Sequence, residues 1–474
     1  MEVMIFIFFI FVTSLFVTSA IWAFRYFGLS CFEQIIFHLK VPLEGTNTEF
    51  IWDWVRQCMF GAVILCGLEI LCIYALQVLL FSFAWCAFLV ICVNMMFAFY
   101  YVGAFGFIIN QMRTTSFYEQ YYVDPKNVRL HFPQKSKNLI HIFVESLETT
   151  YTSKKRGGNY HDDLLSPLTG LDSYVNFSHG DKLGGFDVVS GTGWTTAGIA
   201  AQSAGIPLFA SLKQKMFCED VAFYPGAYGI GDILEKQGYQ QMYMIGSNAA
   251  FGGREYYFRQ HGSFSIFDLN TAYEKGKLKQ DFKEFWGYDD HKLFQYAKEE
   301  LLKLSQDKKP FHFVMLTVDT HHPYGFVCGD CKQTYDEQLS NVIACNIKQL
   351  RTFVDWLQKQ AFYKDSIVVI SGDHLSMAQE YIDRTYDKKY HRSVFNMFLN
   401  TKLSKQYTKH RKFTSFDMYP TILSAMGIKI DGNALGLGVN LNSSQKTLIE
   451  RVGYTYMDKE LRKHSMYYQR HIAS

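Results

Sequence analysis

The sequence predicts an α/β protein in which helices sandwich a mostly parallel sheet, preceded by an N-terminal helical transmembrane region. Two apolar runs predict the membrane part, because Val3–Phe24 contains no charged residue and Cys58–Ile109 contains only Glu69. From about Asn138 onward, short apolar runs alternate with helix-like segments, a pattern typical of parallel sheets covered on both faces. We therefore divide the chain into a transmembrane region with about three helices at 1–112, a linker at 113–137 and an external domain at 138–474.

The two apolar runs predict three membrane crossings. A helix crosses the hydrocarbon core with roughly 20 apolar residues, so the first run fits one crossing. The second run has 52 residues and fits two crossings joined by a tight turn near Phe81–Trp85. The first run lacks a basic leading region and a small-residue cleavage site, which favours an anchor over a cleaved signal peptide. We expect Glu69 to lie near a helix–helix contact, since an ionisable group facing lipid is costly.

Charge and cysteine content narrow the function class. A net charge of +3 over 474 residues is too small to indicate nucleic-acid binding. Three crossings place the termini on opposite sides of the membrane, so a cytoplasmic N-terminus leaves the large domain outside. Four cysteines lie beyond the membrane runs, namely Cys218, Cys328, Cys331 and Cys345. The Cys328-Gly-Asp-Cys331 pair predicts a local disulfide, with half a zinc site or a redox pair as alternatives.

Polar side chains follow the predicted strands where chemistry is expected. Glu145 follows the first strand, His321 the third, and Asp373-His374 the fourth. In mostly parallel sheets the functional groups gather beyond the carboxyl ends of the strands. The predicted strands are Leu139–Val144, Tyr239–Ile245, His312–Val318, Ser366–Ile370 and Val394–Leu399. Helix-like segments between them are Gly231–Gln237, His291–Leu304 and Asn341–Gln358.

The stretch Gly191–Gly198 predicts a turn followed by the first turn of a helix. Unpaired backbone N–H groups at such a position suit a phosphate group. A threonine hydroxyl there becomes a nucleophile if a metal ion lowers its pKa. Thr195 is our candidate, although Thr192 or Thr196 fits the spacing equally well.

Glu145, Asp373 and His374 offer two carboxylates and an imidazole, a mixed set suited to manganese, zinc or magnesium. Adding the Thr195 oxygen gives four ligands and makes the nucleophile part of the metal site. The threonine would attack phosphorus to form a phosphothreonine, which a hydroxyl or water then displaces. His321 would hold a phosphate oxygen or protonate a leaving alkoxide. Alone, each residue also fits a capping or loop role; their joint position favours the site.

These motifs together resemble the membrane-anchored phosphoglycerol transferases of the alkaline phosphatase superfamily. That group includes the enzyme that decorates osmoregulated periplasmic glucans and lipoteichoic acid synthase. The resemblance covers about Asn138 to Gly453, and is closer to the glucan enzyme. Its main motifs are Asn138–Glu148, Gly191–Gly198, Thr317–Tyr324 and Ser371–His374, with support from Gly205–Leu208, Trp286–Asp290 and Phe416–Thr421.

The resemblance implies an alkaline-phosphatase-like fold and assigns the site residues. It gives one divalent cation, manganese in the first place with zinc or magnesium as alternatives, to Glu145, Thr195, Asp373 and His374. Thr195 is then the nucleophile, and His321 binds substrate. Arg254 resembles the family's phosphate-binding arginine, but the tryptophan that often precedes it is replaced by Gly252.

The resemblance also implies the reaction and its setting. The enzyme would transfer phosphoglycerol from phosphatidylglycerol to a sugar hydroxyl of a cell-envelope glycan, releasing diacylglycerol. It would be a multi-pass protein of the bacterial inner membrane, with its catalytic domain facing the periplasm or exterior. The chain departs from the family in two ways. It shows three predicted crossings, whereas family members often have four or five, and its C-terminal part is shorter than that of the glucan enzyme.

Competing functions stay open at this point. A phosphoethanolamine transferase would use the same ligand types at the same bilayer surface, and a phosphodiester hydrolase of the superfamily would use the same site. A non-catalytic module is disfavoured by the full metal-binding set. A sulfatase is disfavoured because the Cys/Ser-x-Pro-x-Arg motif that carries its modified residue is absent.

Overall fold

The structure is a computed structural model of the full chain, and it describes a membrane part joined to an α/β domain. The described residues are 2–27, 32–42, 44, 48–77, 82–212, 214–218, 220–279, 282 and 285–474.

Within the described residues, three helices are long and apolar enough to cross a membrane: Glu2–Arg25, Ile51–Leu76 and Phe83–Tyr101. We call them the first, second and third span. Phe81, where we predicted the turn to begin, lies outside the described residues. The turn does not extend to Trp85, because the third span already begins at Phe83.

Glu69 lies at a contact between spans, as we expected. Its Oε2 atom lies 2.7 Å from the hydroxyl oxygen of Ser14 on the first span, which donates a hydrogen bond. The first and third spans are joined in a similar way, because the Asn94 amide donates to the Thr13 hydroxyl oxygen at 3.2 Å. Polar pairs of this kind hold helices together where no water competes for the hydrogen bond.

A seven-stranded sheet forms the centre of the α/β domain. Its strands in chain order are β1 (Asn138–Val144), β2 (Gly185–Phe186), β3 (Gln240–Ile245), β4 (Ser265–Phe267), β5 (Phe311–Leu316), β6 (Ser366–Gly372) and β7 (Val394–Leu399). In space their order is β2-β7-β6-β1-β5-β3-β4. The five strands from β6 to β4 run parallel, whereas β7 is antiparallel to β6 and β2 is antiparallel to β7.

Helices cover both faces of the sheet, which confirms the predicted fold class. One face packs against the two long helices Asp290–Gln306 and Gln338–Gln358. The other face packs against the four helices Thr195–Ala204, Ile230–Lys236, Arg254–Gln260 and Met418–Ala425. The central strand β1 is buried along nearly its whole length, which explains its continuous apolar sequence.

Shorter elements complete the chain around this core. The remaining described α-helices after the third span are Ala104–Gln111, Phe117–Tyr121, Ser166–Thr169, Leu269–Glu274, Gln379–Thr385, Leu448–Val452, Tyr454–Leu461 and Met466–Tyr468. Two small antiparallel pairs join Leu130–His131 to Lys429–Ile430 and Ala434–Leu435 to Gly438–Val439.

The stretch between the first and second spans packs into the α/β domain. It forms a short helix, Phe32–His38, followed by a turn. The Phe37 side chain is fully buried, with its ring centroid 5.2 Å from that of Trp194. The Lys40 carbonyl oxygen accepts a hydrogen bond from the backbone N–H of Phe217 at 2.7 Å. Membrane part and domain therefore share a core beside the Gly191–Gly198 turn.

The predicted disulfide between Cys328 and Cys331 is not formed. Their Sγ atoms lie 3.4 Å apart, and the thiol of Cys345 joins them, 3.8 Å from that of Cys328. The sequence pattern missed the third cysteine because it lies on the helix Gln338–Gln358 and not in the same loop.

Candidate active site

The candidate site lies at the carboxyl ends of four neighbouring parallel strands. Glu145 follows β1, and the register that pairs Val144 with Gly372 brings the residue after β6, Asp373, beside it. On the other side of β1, strand β5 leads into the loop that carries His321. Strand β3 comes next and leads through a short turn to Arg254 at the start of a helix. The sheet order thus arranges these residues along one edge.

Glu145, Asp373 and His374 form a buried cluster whose ligand atoms all lie within 4.8 Å of one another. The His374 Nε2 atom lies 3.3 Å from Asp373 Oδ2 and 3.5 Å from Glu145 Oε1. The other ring nitrogen, Nδ1, donates to the Leu375 carbonyl oxygen at 2.8 Å. This bond fixes the tautomer and leaves Nε2 available as a metal ligand, an arrangement typical of histidines that bind metals.

The electrostatics of this cluster favour a cation. Burial, and next the negative charge of Glu145, raise the pKa of Asp373 to about 7. Burial alone would lower the pKa of His374, but Asp373 and Glu145 raise it above its ordinary value. Asp373 Oδ2 is fully buried and has no hydrogen-bond partner within the described part of the chain. Two buried carboxylates and an imidazole nitrogen fit a divalent cation, because buried charge must be balanced.

The three candidate threonines are separated by their hydroxyl contacts. The Thr192 hydroxyl donates to the Val189 carbonyl oxygen at 2.8 Å, and the Thr196 hydroxyl donates to the Gly252 carbonyl oxygen at 2.7 Å. Only the Thr195 hydroxyl faces the acidic cluster, with its Oγ1 atom 3.3 Å from His374 Nε2. The geometry therefore favours Thr195 over the other two as the nucleophile.

The helix Thr195–Ala204 is locked to the end of β6. A Cβ atom placed on Gly198 would lie 2.1 Å from the Asp373 carbonyl oxygen, so only glycine permits this approach. The Gln202 amide donates to the Gly372 carbonyl oxygen at 2.9 Å and accepts from the Ser371 hydroxyl at 2.7 Å. These contacts hold the helix N-terminus, with Thr195 as its first residue, over the carboxylates.

His321 lies at the edge of the cluster in a neutral state. Burial lowers its pKa to about 4, despite the Nδ1–H that donates to the His322 carbonyl oxygen at 2.9 Å. Its ring centroid is 4.9 Å from that of Trp286, which orients the imidazole. With Nδ1 donating, the Nε2 atom is the nitrogen available to a substrate.

Arg254 is buried, and its guanidinium brings a positive charge near Glu145 and Asp373. It donates to the Asn248 carbonyl oxygen at 3.0 Å, while its Nε atom has no partner among the described residues. The Phe251 ring lies 5.4 Å from the guanidinium carbon and supplies aromatic packing. Gly252 has a φ of 69°, a left-handed conformation that disfavours the tryptophan expected from the resemblance.

Several supporting residues were not predicted as part of the site. Ser146 has a φ of 57°; its N–H donates to Asp373 Oδ1 at 2.9 Å and its hydroxyl to Glu145 Oε1 at 2.7 Å. The Thr320 hydroxyl donates to the Glu145 carbonyl oxygen at 2.7 Å. Ser146 follows directly after Glu145 in the sequence, and a polar residue in this position was the only available signal.

A buried carboxylate pair anchors the His321 loop. Asp290 accepts hydrogen bonds from the N–H groups of Val318 at 2.8 Å and Asp319 at 2.9 Å, and from the Asn346 amide at 2.7 Å. Its own N–H donates to Asp319 Oδ2 at 3.1 Å. Burial raises the pKa of Asp290 to about 7, and raises that of Asp319 well above its ordinary range. The sequence placed Asp290 in a motif but gave no role for it.

A cavity of about 660 Å³ lies between the membrane part and the α/β domain. Trp22, Arg25 and Gln57 line it from the spans, and Trp286 and Tyr324 line it from the domain. Trp286 lines this cavity and also packs on His321, so the cavity lies beside the candidate site.

Part of the chain matches a known protein family and a curated relative. Residues 217–428 match the family described as Sulfatase. Phosphoglycerol transferase I of Escherichia coli strain SMS-3-5 is 30% identical over 338 residues, covering 69% of this chain and 41% of that protein. The chain thus spans less than half the length of the curated relative that it matches.

Two solved structures share the fold. The integral membrane lipooligosaccharide phosphoethanolamine transferase A of Neisseria meningitidis superposes with a TM-score of 0.54 at 13% identity, covering 96% of this chain and 87% of that chain. A protein in the alkaline phosphatase superfamily from Vibrio parahaemolyticus superposes with a TM-score of 0.50 at 22% identity, covering 69% and 76%. At these identities the similarity supports the fold.

Proposed function

We propose that the chain, whose residues 217–428 match the Sulfatase family, is a metal-dependent phosphoglycerol transferase. The observation that carries the proposal is the set of oxygens around His374 Nε2. Thr195 Oγ1 and Asp373 Oδ2 lie 3.3 Å from that nitrogen, and Glu145 Oε1 lies 3.5 Å from it. A hydroxyl nucleophile at an acidic metal cluster suits attack on a phosphodiester.

Each side chain has a chemical task in the proposed reaction. When bound, a divalent cation at Glu145, Asp373 and His374 would lower the pKa of a hydroxyl and neutralise phosphate charge. Thr195 attacks phosphorus, the bond to diacylglycerol breaks, and glycerophosphate stays on the threonine oxygen. Arg254 binds the phosphate oxygens with its charged guanidinium.

His321 carries the proton in this scheme. The threonine hydroxyl loses one proton and the departing diacylglycerol oxygen gains one, so the first step needs no external acid. In the second step an acceptor hydroxyl loses its proton and the threonine oxygen regains one. A neutral imidazole with a free Nε2 atom suits the role of relay in both directions, because it accepts before it donates.

The membrane part supports a lipid donor, and we propose phosphatidylglycerol. The cavity beside Trp286 is bounded by residues at the ends of the first and second spans, including Arg25. A phospholipid in the bilayer would thus keep its acyl chains in the membrane while its phosphate enters the domain. The Escherichia coli relative is named phosphoglycerol transferase I, which agrees with transfer of a phosphoglycerol group.

We also propose which metal the protein binds, which acceptor it uses and where it lies in the cell. The cation is manganese, with zinc or magnesium as alternatives, and the acceptor is a hydroxyl of a cell-envelope glycan. The protein lies in the bacterial inner membrane, its catalytic domain at 138–474 faces the periplasm or exterior, and it does not bind nucleic acid. A phosphoethanolamine transferase or a phosphodiester hydrolase remains the alternative reaction, and the donor experiment separates them.

The test uses the full chain in lipid vesicles that contain either phosphatidylglycerol or phosphatidylethanolamine, each with radiolabelled phosphate. We expect label on the protein, at Thr195 by mass spectrometry, only with phosphatidylglycerol and a divalent cation. The Thr195→Ala variant should lose turnover by about 10⁴-fold or more. The matched Thr196→Ala variant should keep its label, because that hydroxyl is bound to Gly252.

Results that differ from these expectations identify which alternative function is correct. Label from phosphatidylethanolamine alone would make the chain a phosphoethanolamine transferase. Release of glycerophosphate to water without transfer to an added oligosaccharide would make it a hydrolase. Full turnover in Thr195→Ala would overturn the site assignment.

A further inference from the structure

A second group of metal-ligating side chains lies apart from the candidate active site. The thiols of Cys328, Cys331 and Cys345 lie within 4.8 Å of one another. Cys328 and Cys331 belong to the loop that follows the His321 segment, whereas Cys345 lies on the helix Gln338–Gln358. The function proposed above gives these three residues no task.

The spacing of the sulfur atoms matches the edges of a tetrahedral metal site. Zinc–thiolate bonds of about 2.3 Å at tetrahedral angles put two sulfurs about 3.8 Å apart. The observed Sγ separations are 3.4 Å for Cys328–Cys331 and 3.8 Å for Cys328–Cys345. A disulfide needs roughly 2 Å and uses two sulfurs, which would leave the third thiol alone.

The surrounding backbone and side chains support thiolates at this place. The Cys331 N–H donates to the Cys328 carbonyl oxygen at 3.1 Å, which closes the turn that brings their sulfurs together. The Gln349 amide nitrogen lies 3.3 Å from Cys328 Sγ and 3.8 Å from Cys345 Sγ. N–H donors to sulfur favour the deprotonated, metal-binding form of a cysteine.

Gln349 also provides an independent sign of a missing ligand. It lies four residues after Cys345 on the same helix, so both side chains extend from one helix face. Its Oε1 atom is buried and has no hydrogen-bond partner among the described residues. Three thiolates supply three of the four positions of a tetrahedral zinc site, and a water molecule would fill the fourth and donate to this unpaired oxygen.

We propose that Cys328, Cys331 and Cys345 bind a structural zinc ion, distinct from the proposed catalytic metal site, while the Gln349 amide donates hydrogen bonds to the sulfurs. A bound zinc ion ties the loop after His321 to the helix Gln338–Gln358, which packs on the central sheet. The site stabilises the active-site loop from outside and takes no part in the chemistry.

The test titrates cobalt, a spectroscopic substitute for zinc, into the reduced, metal-free full chain in detergent. Thiolate ligands give cobalt an intense sulfur-to-metal charge-transfer absorption, whereas the acidic site at Glu145 gives none. We therefore expect this absorption in the wild type and unchanged in Glu145→Ala, and we expect zinc to abolish it by displacement.

Substitutions of Cys345 and Gln349, with a substitution of Cys218 as the control, test the site further. Cys345→Ser should remove the absorption, and Gln349→Ala should weaken cobalt binding by about 10-fold or more. Cys218→Ser is the control, because this exposed cysteine lies outside the cluster. In the wild type, zinc should protect Cys331 and Cys345 from alkylation, a readout that needs no variant.

Three results would overturn the zinc site. One is the absence of charge-transfer absorption in the reduced wild type, and a second is undiminished absorption in Cys345→Ser. The third is a Cys328–Cys331 disulfide in the protein as isolated, found by peptide mapping without reductant, together with alkylation that zinc does not slow.

Discussion

At the scale of single residues, hydrogen bonding assigns different tasks to two adjacent threonines. The Thr195 hydroxyl faces His374, while the Thr196 hydroxyl is buried and donates to the Gly252 carbonyl oxygen. Gly252 belongs to the turn that leads to Arg254. Thr196 therefore links the helix Thr195–Ala204, which carries the proposed nucleophile and is called the nucleophile helix below, to the turn before Arg254. From the sequence alone, Thr196 looks equivalent to Thr195.

We predict that Thr196→Ala lowers stability and leaves the nucleophile intact. Loss of the donor leaves a buried carbonyl oxygen unpaired, which costs about 1–3 kcal/mol. The free energy of unfolding of the full chain in detergent, measured by denaturant titration, checks the value. Thr196→Ser is the matched control, since it keeps the hydroxyl and should recover most of the loss. Equal destabilisation by both variants would show that the methyl packing, and not the hydrogen bond, matters.

A charged cluster away from the site gives a pH prediction. Burial raises the pKa of Asp187, but the nearby His179 imidazole and the hydrogen bond with His391 lower it to about 2. In turn the hydrogen bond with Asp187, 2.6 Å from His391 Nε2, raises the pKa of His391. A histidine whose pKa is raised by folding stabilises the protein below its unfolded pKa of 6.5, and loses that effect as pH rises through the folded pKa.

We therefore expect His391→Gln to be more destabilising at about pH 5.5 than at about pH 8.5. Thermal unfolding of both proteins across this range, in buffer with a chelator, measures the difference. His410→Gln is the control, because this histidine pairs with the highly exposed Asp181 and should contribute little at either pH. If His391→Gln lowers the unfolding temperature by the same amount at every pH, the ion pair between His391 and Asp187 is contradicted.

At the scale of elements, the nucleophile helix depends on one glycine. Gly198 faces the Asp373 carbonyl oxygen so closely that an added Cβ would meet it at 2.1 Å. Backbone atoms cannot rotate away as a side chain can, so the helix or the end of β6 would have to move. Either movement separates Thr195 from the cluster at Asp373 and His374.

We predict that Gly198→Ala destabilises the domain by about 1–3 kcal/mol and lowers transfer activity by more than its effect on folding explains. Turnover per folded molecule, with folding followed by circular dichroism, is the measurement. Gly106→Ala is the matched control, since Gly106 is also helical and an added Cβ there meets nothing within 4 Å. Normal turnover in Gly198→Ala would mean that Thr195 does not need its observed position.

The sequence predicted the central elements well for a physical reason. Strands β1, β5 and β6 are buried on both faces, so they are mostly apolar despite His141 in β1 and His312 in β5, and polar residues follow their ends. The two-residue strand β2 and the three-residue strand β4 carry too short a pattern to be distinguished from loops.

Long-range contacts set the limit of what the sequence could predict at the site. The proximity of Glu145 to Asp373 and His374 was predictable because Glu145 and the Asp373-His374 pair directly follow neighbouring strands. The choice among the threonines depended on contacts with Gly252 and Val189 that no local pattern encodes. Cys345 was likewise missed as a partner of Cys328, since only the packing of its helix brings the two together.

At the scale of the whole molecule, the membrane part and the catalytic domain are packed as one unit near the site. Phe37 lies between the first and second spans and is fully buried against Trp194, the residue before Thr195. Phe217 and Phe223 complete this aromatic contact, with ring centroids 6.3 Å from that of Phe37. The position of the nucleophile helix therefore depends on a segment that belongs to the membrane part.

We predict that Phe37→Ala impairs both stability and activity although Phe37 touches no reacting group. Removing a fully buried phenylalanine costs about 3–5 kcal/mol, and the cavity would lie under Trp194 at the start of the nucleophile helix. Phosphorylation of Thr195 should slow, and thermal unfolding should shift to lower temperature. Leu39→Ala is the matched control, because this side chain, two residues away, is 69% exposed and should change neither quantity.

The comparison of these two variants tests whether docking of the membrane part organises the site. If Phe37→Ala unfolds more easily but phosphorylates Thr195 at the wild-type rate per folded molecule, the contact is structural only. If Leu39→Ala is equally impaired, the effect arises from the segment as a whole and not from the contact with Trp194. A selective loss in Phe37→Ala would mean that the catalytic domain needs the segment between its first two spans to position the nucleophile, so that a lipid donor and the threonine meet in one fixed geometry.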